Sequence, residues 1–288
     1  MNYKNEMMLG GKKLSIDTGK LAKQANGAVV VQYEDTVVLA AATASKKPLE
    51  DIDFFPLSVE YREKAYAAGK IPGGYIKREG RPSDNEILSA RIIDRPIRPL
   101  FPENFRNEVQ IMVMVLSADR ENDPDILGVI GASTALSISD IPFMGPVGAV
   151  RVGRINGELI INPTYRELEQ SDVDLVIAGT EDSIVMVEGE SKEISEDDMI
   201  AALEFGHKYI KETVAFQKEL MVECGKPKIE IVVEEPDENL INQIHLVAEP
   251  HLHEIVNIQD KSERSNALSG LIEELQTSLE EHFPESAL

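Results

Sequence analysis

Residues 73–83 read GGYIKREGRPS, three cations and an aromatic ring set among glycine and proline. Backbone amides left open by glycine, together with Lys77, Arg78 and Arg81, suit contact with phosphate oxygens, and Tyr75 offers a flat face on which a base can stack. Immediately downstream, Arg91 and Arg95 stand four residues apart in a helical pattern, and Arg98 follows a proline. Arginine's planar fork serves phosphate and ion-pair networks equally well. Two readings therefore stand for the three arginines: phosphate binding beside the loop, or structural pairing with acids such as Asp94 or across a subunit contact. The plainer reading of the loop itself is a solvated surface segment.

The surroundings sharpen the contrast. The 288-residue chain has a formal net charge of −22, yet residues 62–106 hold 10 Lys+Arg against 6 Asp+Glu. The rest of the chain carries 19 cations and 45 anions. A local basic segment on an acidic background is an address for an anion, because the background repels polyanions everywhere else.

No other stretch carries a recognisable chemistry. There is no GxxxxGK[ST] phosphate loop and no GxGxxG opening a helix after a strand. All five histidines lie in the last third, and His251 with His253 has no further ligand at metal-binding spacing, so surface helix histidines are the simpler reading and no metal site is assigned. The single cysteine, Cys224, precedes a helix-ending glycine without a nearby histidine, which describes an inert thiol rather than a nucleophile. Asp197-Asp198 and Glu234-Glu235 read as cap and surface charges. No catalytic residue is expected in this chain.

Composition sets the frame: 42% hydrophobic and 28% charged residues describe a globular protein. The apolar runs stop well short of the roughly 20 residues a membrane helix needs. The N-terminal residues lack the apolar core of a signal peptide, and one cysteine fits a reducing compartment, so a cytoplasmic location is expected.

The elements that must position the basic loop follow from periodicity. KLSIDTG, AVVVQY and TVVLAAATA read as strands, the last two as a hairpin about Glu34-Asp35, and LSVEY (57–61) as a further strand. From Arg62 to Pro82 no period survives and Gly69, Pro72, Gly73, Gly74 and Gly80 punctuate a long loop, a length uncommon without function. Ser83 and Glu86 then form a capping box opening a helix, with Ile87, Leu88, Ile92 and Ile93 on its apolar face; Pro96 should stop or kink it. EVQIMVMVLS is a strand, and Asp123-Pro124 opens a helix rich in small residues. Two hairpins follow, about Asn156-Gly157 and Glu181-Asp182, and then a long helix from Ser195 to Gly225. Beyond it the chain turns helical and acidic: residues 192–288 hold 8 Lys+Arg and 22 Asp+Glu. The final PESAL carries no closing signal, so a longer parent protein is expected.

The runs GKIPGGYIKREGRPSDNEILSARIIDRPIRPLFP, DILGVIGASTALSISDIPFMGPVGAVRVGRINGE and DLVIAGTEDSIVMVE closely resemble the N-terminal half of the polynucleotide phosphorylase family. That resemblance implies an α+β fold, a ribonuclease-PH-like β-α-β sandwich over residues 1–228, followed by the start of a small all-helical segment over 229–288. It also implies phosphate-dependent 3′-to-5′ degradation of RNA to nucleoside diphosphates in mRNA turnover. Inorganic phosphate would be co-substrate and Mg²⁺ the cofactor, with both sites in a second ribonuclease-PH-like domain outside this chain. The implied partners are single-stranded RNA, two further copies in a ring-shaped homotrimer, and RNA-degradation proteins such as a helicase or an endonuclease. The family's RNA-gripping loop, usually two Phe and two Arg, falls on Tyr75, Ile76, Lys77 and Arg78. Here Ile76 offers no π face and Lys77 keeps charge without a bidentate fork. Two alternatives remain: a noncatalytic RNA-binding or assembly subunit of an exosome-like ring, and a structural domain whose arginines serve subunit contacts.

Overall fold

The computed structural model describes residues 2–49, 52, 54–73, 75, 78–231 and 238–282. The chain divides into two compact units, residues 1–231 and 232–288.

The first unit opens with two antiparallel strands, β1 (Tyr3–Leu9) and β2 (Lys12–Thr18), joined through Gly10 and Gly11, both at positive φ as a tight hairpin requires. They continue into β3 (Gly27–Tyr33) and β4 (Thr36–Pro48), the hairpin foreseen about Glu34-Asp35. With β5 (Leu57–Glu63) and β6 (Asn107–Ser117) these make a six-stranded sheet in the order β1-β2-β3-β4-β6-β5. Every neighbouring pair is antiparallel except β5 with β6. The connection between β5 and β6 is the basic loop followed by helix α1 (Asp84–Ile97).

Helix α2 (Pro124–Ile138) is the centre of the unit, all fifteen of its residues buried. It packs on β3, β4 and β6 on one side and on β7 (Gly148–Ile155) on the other. Its glycines leave room for neighbouring side chains: a Cβ on Gly128 would stand 2.8 Å from Ile93 Cδ1, and one on Gly131 3.0 Å from Ala40 Cβ. A Cβ on Gly27 of β3 would stand 2.0 Å from the Ala135 carbonyl oxygen, so only glycine fits opposite the last turns of α2. Strands β7, β8 (Glu158–Ile161), β9 (Val173–Gly179) and β10 (Ile184–Ser191) form a second antiparallel sheet in the order β10-β9-β7-β8, with the short helix α3 (Tyr165–Leu168) between β8 and β9. Helix α4 (Glu196–Cys224) packs on β7, β8 and β9. The result is the expected β-α-β sandwich.

Two expectations for α1 need correction. Ile92 and Ile93 are buried, but Ile87 and Leu88 are about half exposed: the first turns overhang edge strand β5, where Ile87 lines a groove instead of the core. The helix also runs past Arg95 to Ile97. Pro96 removes only one donor, and the Arg98 amide still reaches the Asp94 carbonyl before a 3₁₀ turn (Arg98–Leu100) ends the element.

In the second unit, α5 (Glu238–Ile255) packs on α6 (Lys261–His282), matching the helical reading of this stretch. Asp260 caps α6 by accepting from the Ser262 and Glu263 amides. Among the described residues no helix is long and apolar enough to cross a membrane.

Candidate nucleic-acid interface

The basic loop leaves the sheet at the end of β5. Ala65–Ala68 form one 3₁₀ turn, closed by Gly69 at φ +67°, and the Ala118 amide donates to the Ala67 carbonyl, tying the turn to the end of β6. Beyond it Ile71 is exposed and Tyr75 is fully exposed, at 102% of its reference area. Arg78 and Arg81 are exposed as well, and Ser83 caps α1 with the predicted capping box. Ile76 and Lys77 lie outside the described residues.

The acids and cations of this segment are used differently. Glu63 accepts from the buried Tyr61 hydroxyl at 2.8 Å, and Glu79 accepts from the Ala65 amide at 2.9 Å. Glu86 accepts from the Ser83 amide at 2.6 Å and the Glu63 amide at 2.9 Å. Partial burial opposes ionisation of Glu86, but these amides together hold its carboxyl below the ordinary range. Asp94 takes a two-pronged contact from Arg98 at 2.7 and 3.0 Å. These four acids thus spend their charge on the segment's own frame. By contrast, the side chains of Lys64, Lys70, Arg78, Arg81 and Arg91 make no hydrogen bond or ion pair among the described residues.

The three helix arginines separate. Arg95 pairs with Glu188 of β10, linking α1 to the second sheet. Arg98 also donates to the Phe55 and Leu57 carbonyls, at 3.2 and 3.1 Å, covering the free edge of β5 at its start. Arg91 alone is uncommitted. It lines a groove of about 430 Å³ between β5 and α1, together with Arg62, Arg98, Ile87 and Glu60. Arg62 lies 3.9 Å from Glu60, a loose surface contact. Of the two readings for these arginines, pairing describes Arg95 and Arg98, and Arg91 is left free to meet a ligand.

A second charged cluster escaped sequence reasoning. Arg151 of β7 donates to Asp123 and Asp125 at the start of α2 and to Asp174 of β9, at 2.9 to 3.1 Å. Arg151 lies more than twenty residues from each of these acids and only the sandwich brings them together, so no spacing could have revealed the cluster. Burial, then the neighbouring Asp123 carboxylate, pushes the Asp125 pKa up to about 8. Among the described residues no group of His, Cys, Asp or Glu is arranged to hold a metal. His251 Nδ1 donates to the Val247 carbonyl of its own helix at 2.9 Å, and the half-buried Cys224 thiol is pushed up by burial.

Residues 10–142 match the model of the 3′ exoribonuclease family, domain 1, and residues 145–209 match that of the 3′ exoribonuclease family, domain 2. The polyribonucleotide nucleotidyltransferase of Heliobacterium modesticaldum is 51% identical over 279 residues, covering 97% of this chain and 39% of that protein. That of Sulfurihydrogenibium sp. is 53% identical over 277 residues, covering 96% and 39%. That of Geotalea daltonii is 50% identical over 287 residues, covering 100% and 41%. The chain therefore spans about two-fifths of the length of these relatives. Among solved structures, rice Rrp46 shares the fold with a TM-score of 0.57 at 15% identity, covering 77% of this chain and 94% of that one.

Proposed function

Because the chain belongs to the 3′ exoribonuclease family, we propose that it is the RNA-gripping and ring-building part of a polynucleotide phosphorylase, a phosphate-dependent 3′-to-5′ exoribonuclease. One observation carries this reading: between residues 62 and 106 Glu79, Glu86 and Asp94 bind backbone amides or arginine, while the side chains of Lys64, Lys70, Arg78, Arg81 and Arg91 stay unpaired among the described residues. Five cations on one segment of a chain with net charge −22 repel one another and are stabilised by an external polyanion.

In this reading the cations neutralise successive phosphates of single-stranded RNA, and the free ring of Tyr75 stacks on a base. Such contacts are sequence-tolerant, as a processive nuclease needs. Lys77 adds a charge beside Arg78, and Ile76 offers no π face. Arg91, with the groove it lines, extends the path along α1. Residues 1–228 form the ribonuclease-PH-like domain and 229–288 begin a helical segment.

The whole enzyme's reaction is the attack of inorganic phosphate on the terminal phosphodiester, releasing a nucleoside diphosphate. The described residues do not suit magnesium. The acids nearest to such a set, Asp123, Asp125 and Asp174, converge on the Arg151 guanidinium, whose positive charge already fills the position a cation would take. No step is therefore assigned to this chain beyond holding RNA. We place the enzyme in the cytoplasm as a homotrimer, with helicase or endonuclease partners.

The test is phosphate-dependent release of nucleoside diphosphate from a homopolymeric RNA by this chain, with magnesium present and phosphate omitted as control. Salt-sensitive RNA binding without release is the expected result. Release would locate a phosphate site within these 288 residues and overturn the division of labour.

A further inference from the structure

The two arms that flank the tip of the basic loop meet at a narrow neck. Glu79 Oε1 accepts from the Ala65 amide, fourteen residues earlier, at 2.9 Å. One level below, Glu86 bridges the Glu63 amide to the Ser83 amide. Among the described residues these carboxylates make the only hydrogen bonds that join the ascending arm (residues 62–66) to the descending arm (78–86). Glu86 is accounted for by its helix cap; Glu79 is not. It is exposed, it lies between Arg78 and Arg81, and its charge opposes a polyanion at that very place.

We propose that Glu79 is a positioning residue for RNA: its carboxylate clasps the neck of the loop and thereby fixes where Tyr75, Arg78 and Arg81 point. This rests on the RNA-gripping reading. An ordered tip binds with less conformational entropy to lose, and that gain outweighs the repulsion of one solvent-exposed negative charge.

Electrostatics and positioning predict opposite signs, which makes the idea testable. In Glu79→Ala the repulsion disappears and the clasp with it; in Glu79→Gln the repulsion disappears and the amide oxygen still accepts from Ala65. The experiment measures binding of a fluorescent single-stranded oligoribonucleotide to the whole chain, together with hydrogen exchange at the Ala65 amide. The clasp predicts that Glu79→Ala binds about five- to tenfold more weakly, with faster exchange at Ala65. It predicts that Glu79→Gln binds at least as tightly as the parent, with exchange unchanged. Glu79→Ala binding as tightly as the parent or tighter overturns the proposal, as does Glu79→Gln falling as far as Glu79→Ala. The double variant Arg78→Ala with Arg81→Ala separates the two levels. If it binds RNA like the parent, the RNA-gripping reading itself fails; if it weakens while Glu79→Ala does not, only the clasp fails.

Discussion

Arg151 Nη2 donates to Asp125 Oδ2 across 3.1 Å where the start of α2 meets β7, with the Asp125 side chain 6% exposed. The second oxygen, Oδ1, accepts from the Ile126 amide at 2.6 Å. Asp123 and Asp174 share the same guanidinium, so three carboxylates surround one cation. The pair fixes the N-terminal end of the buried central helix against the second sheet, and the surplus negative charge makes that junction sensitive to pH.

Burial, then the Asp123 carboxylate, raises the Asp125 pKa in the folded chain well above its ordinary value near 4. A raised folded pKa means that the stability it contributes is complete below pH 4 and is lost as pH rises toward the folded value. Urea denaturation between pH 5 and pH 8 should therefore show the parent losing up to about 1.4 kcal/mol per pH unit. Asp125→Asn should flatten that slope. A parent curve that is level or rises over this window would contradict the assignment.

Gly27→Ala should be severe although the change is one methyl group. Its Cβ would meet the Ala135 carbonyl oxygen at 2.0 Å, and neither backbone can move away without unpacking α2. A loss of about 3 kcal/mol is expected by chemical denaturation. Gly73→Ala, whose Cβ has open space, serves as the matched control and should be near neutral.

Tyr75→Ala removes the ring offered to a base and should weaken single-stranded RNA binding by about 1–3 kcal/mol, with the fold unaffected because the side chain is wholly exposed. Ile76→Phe should act in the opposite direction by supplying a second π face. Fluorescence titration with the same oligonucleotide reads both. Equal affinity for parent and Ile76→Phe would show that stacking at this position contributes nothing.

Much of the fold was legible because its signals are local. The Ser83–Glu86 capping box, the Asp123-Pro124 helix start and the Asn156-Gly157 turn each depend on residues within three or four positions, and each is present. Strand β1 was missed although Gly10-Gly11 marks its hairpin, because YKNEMML alternates too weakly in hydrophobicity to read as a strand alone. Ile87 and Leu88 have the period of a core face but overhang the sheet edge, and periodicity records which residues share a face without recording where the neighbouring layer stops. In the candidate site the cations were visible as composition. Their freedom was not, since it depends on which acids the fold commits elsewhere. The Glu79–Ala65 clasp and the pairing of Arg95 with Glu188, 93 residues away, are tertiary facts.

The central claim is that the unpaired cations of residues 62–106 exist to meet RNA phosphates, and the salt dependence of RNA binding tests it most directly. Each phosphate neutralised on a single strand contributes about −0.7 to the slope of log K against log salt. Arg78→Ala, Arg81→Ala and Arg91→Ala combined should weaken binding and make the slope shallower by about 2. Parent-like affinity and slope in the triple variant would mean that these arginines serve another contact, and the RNA-gripping account would fall.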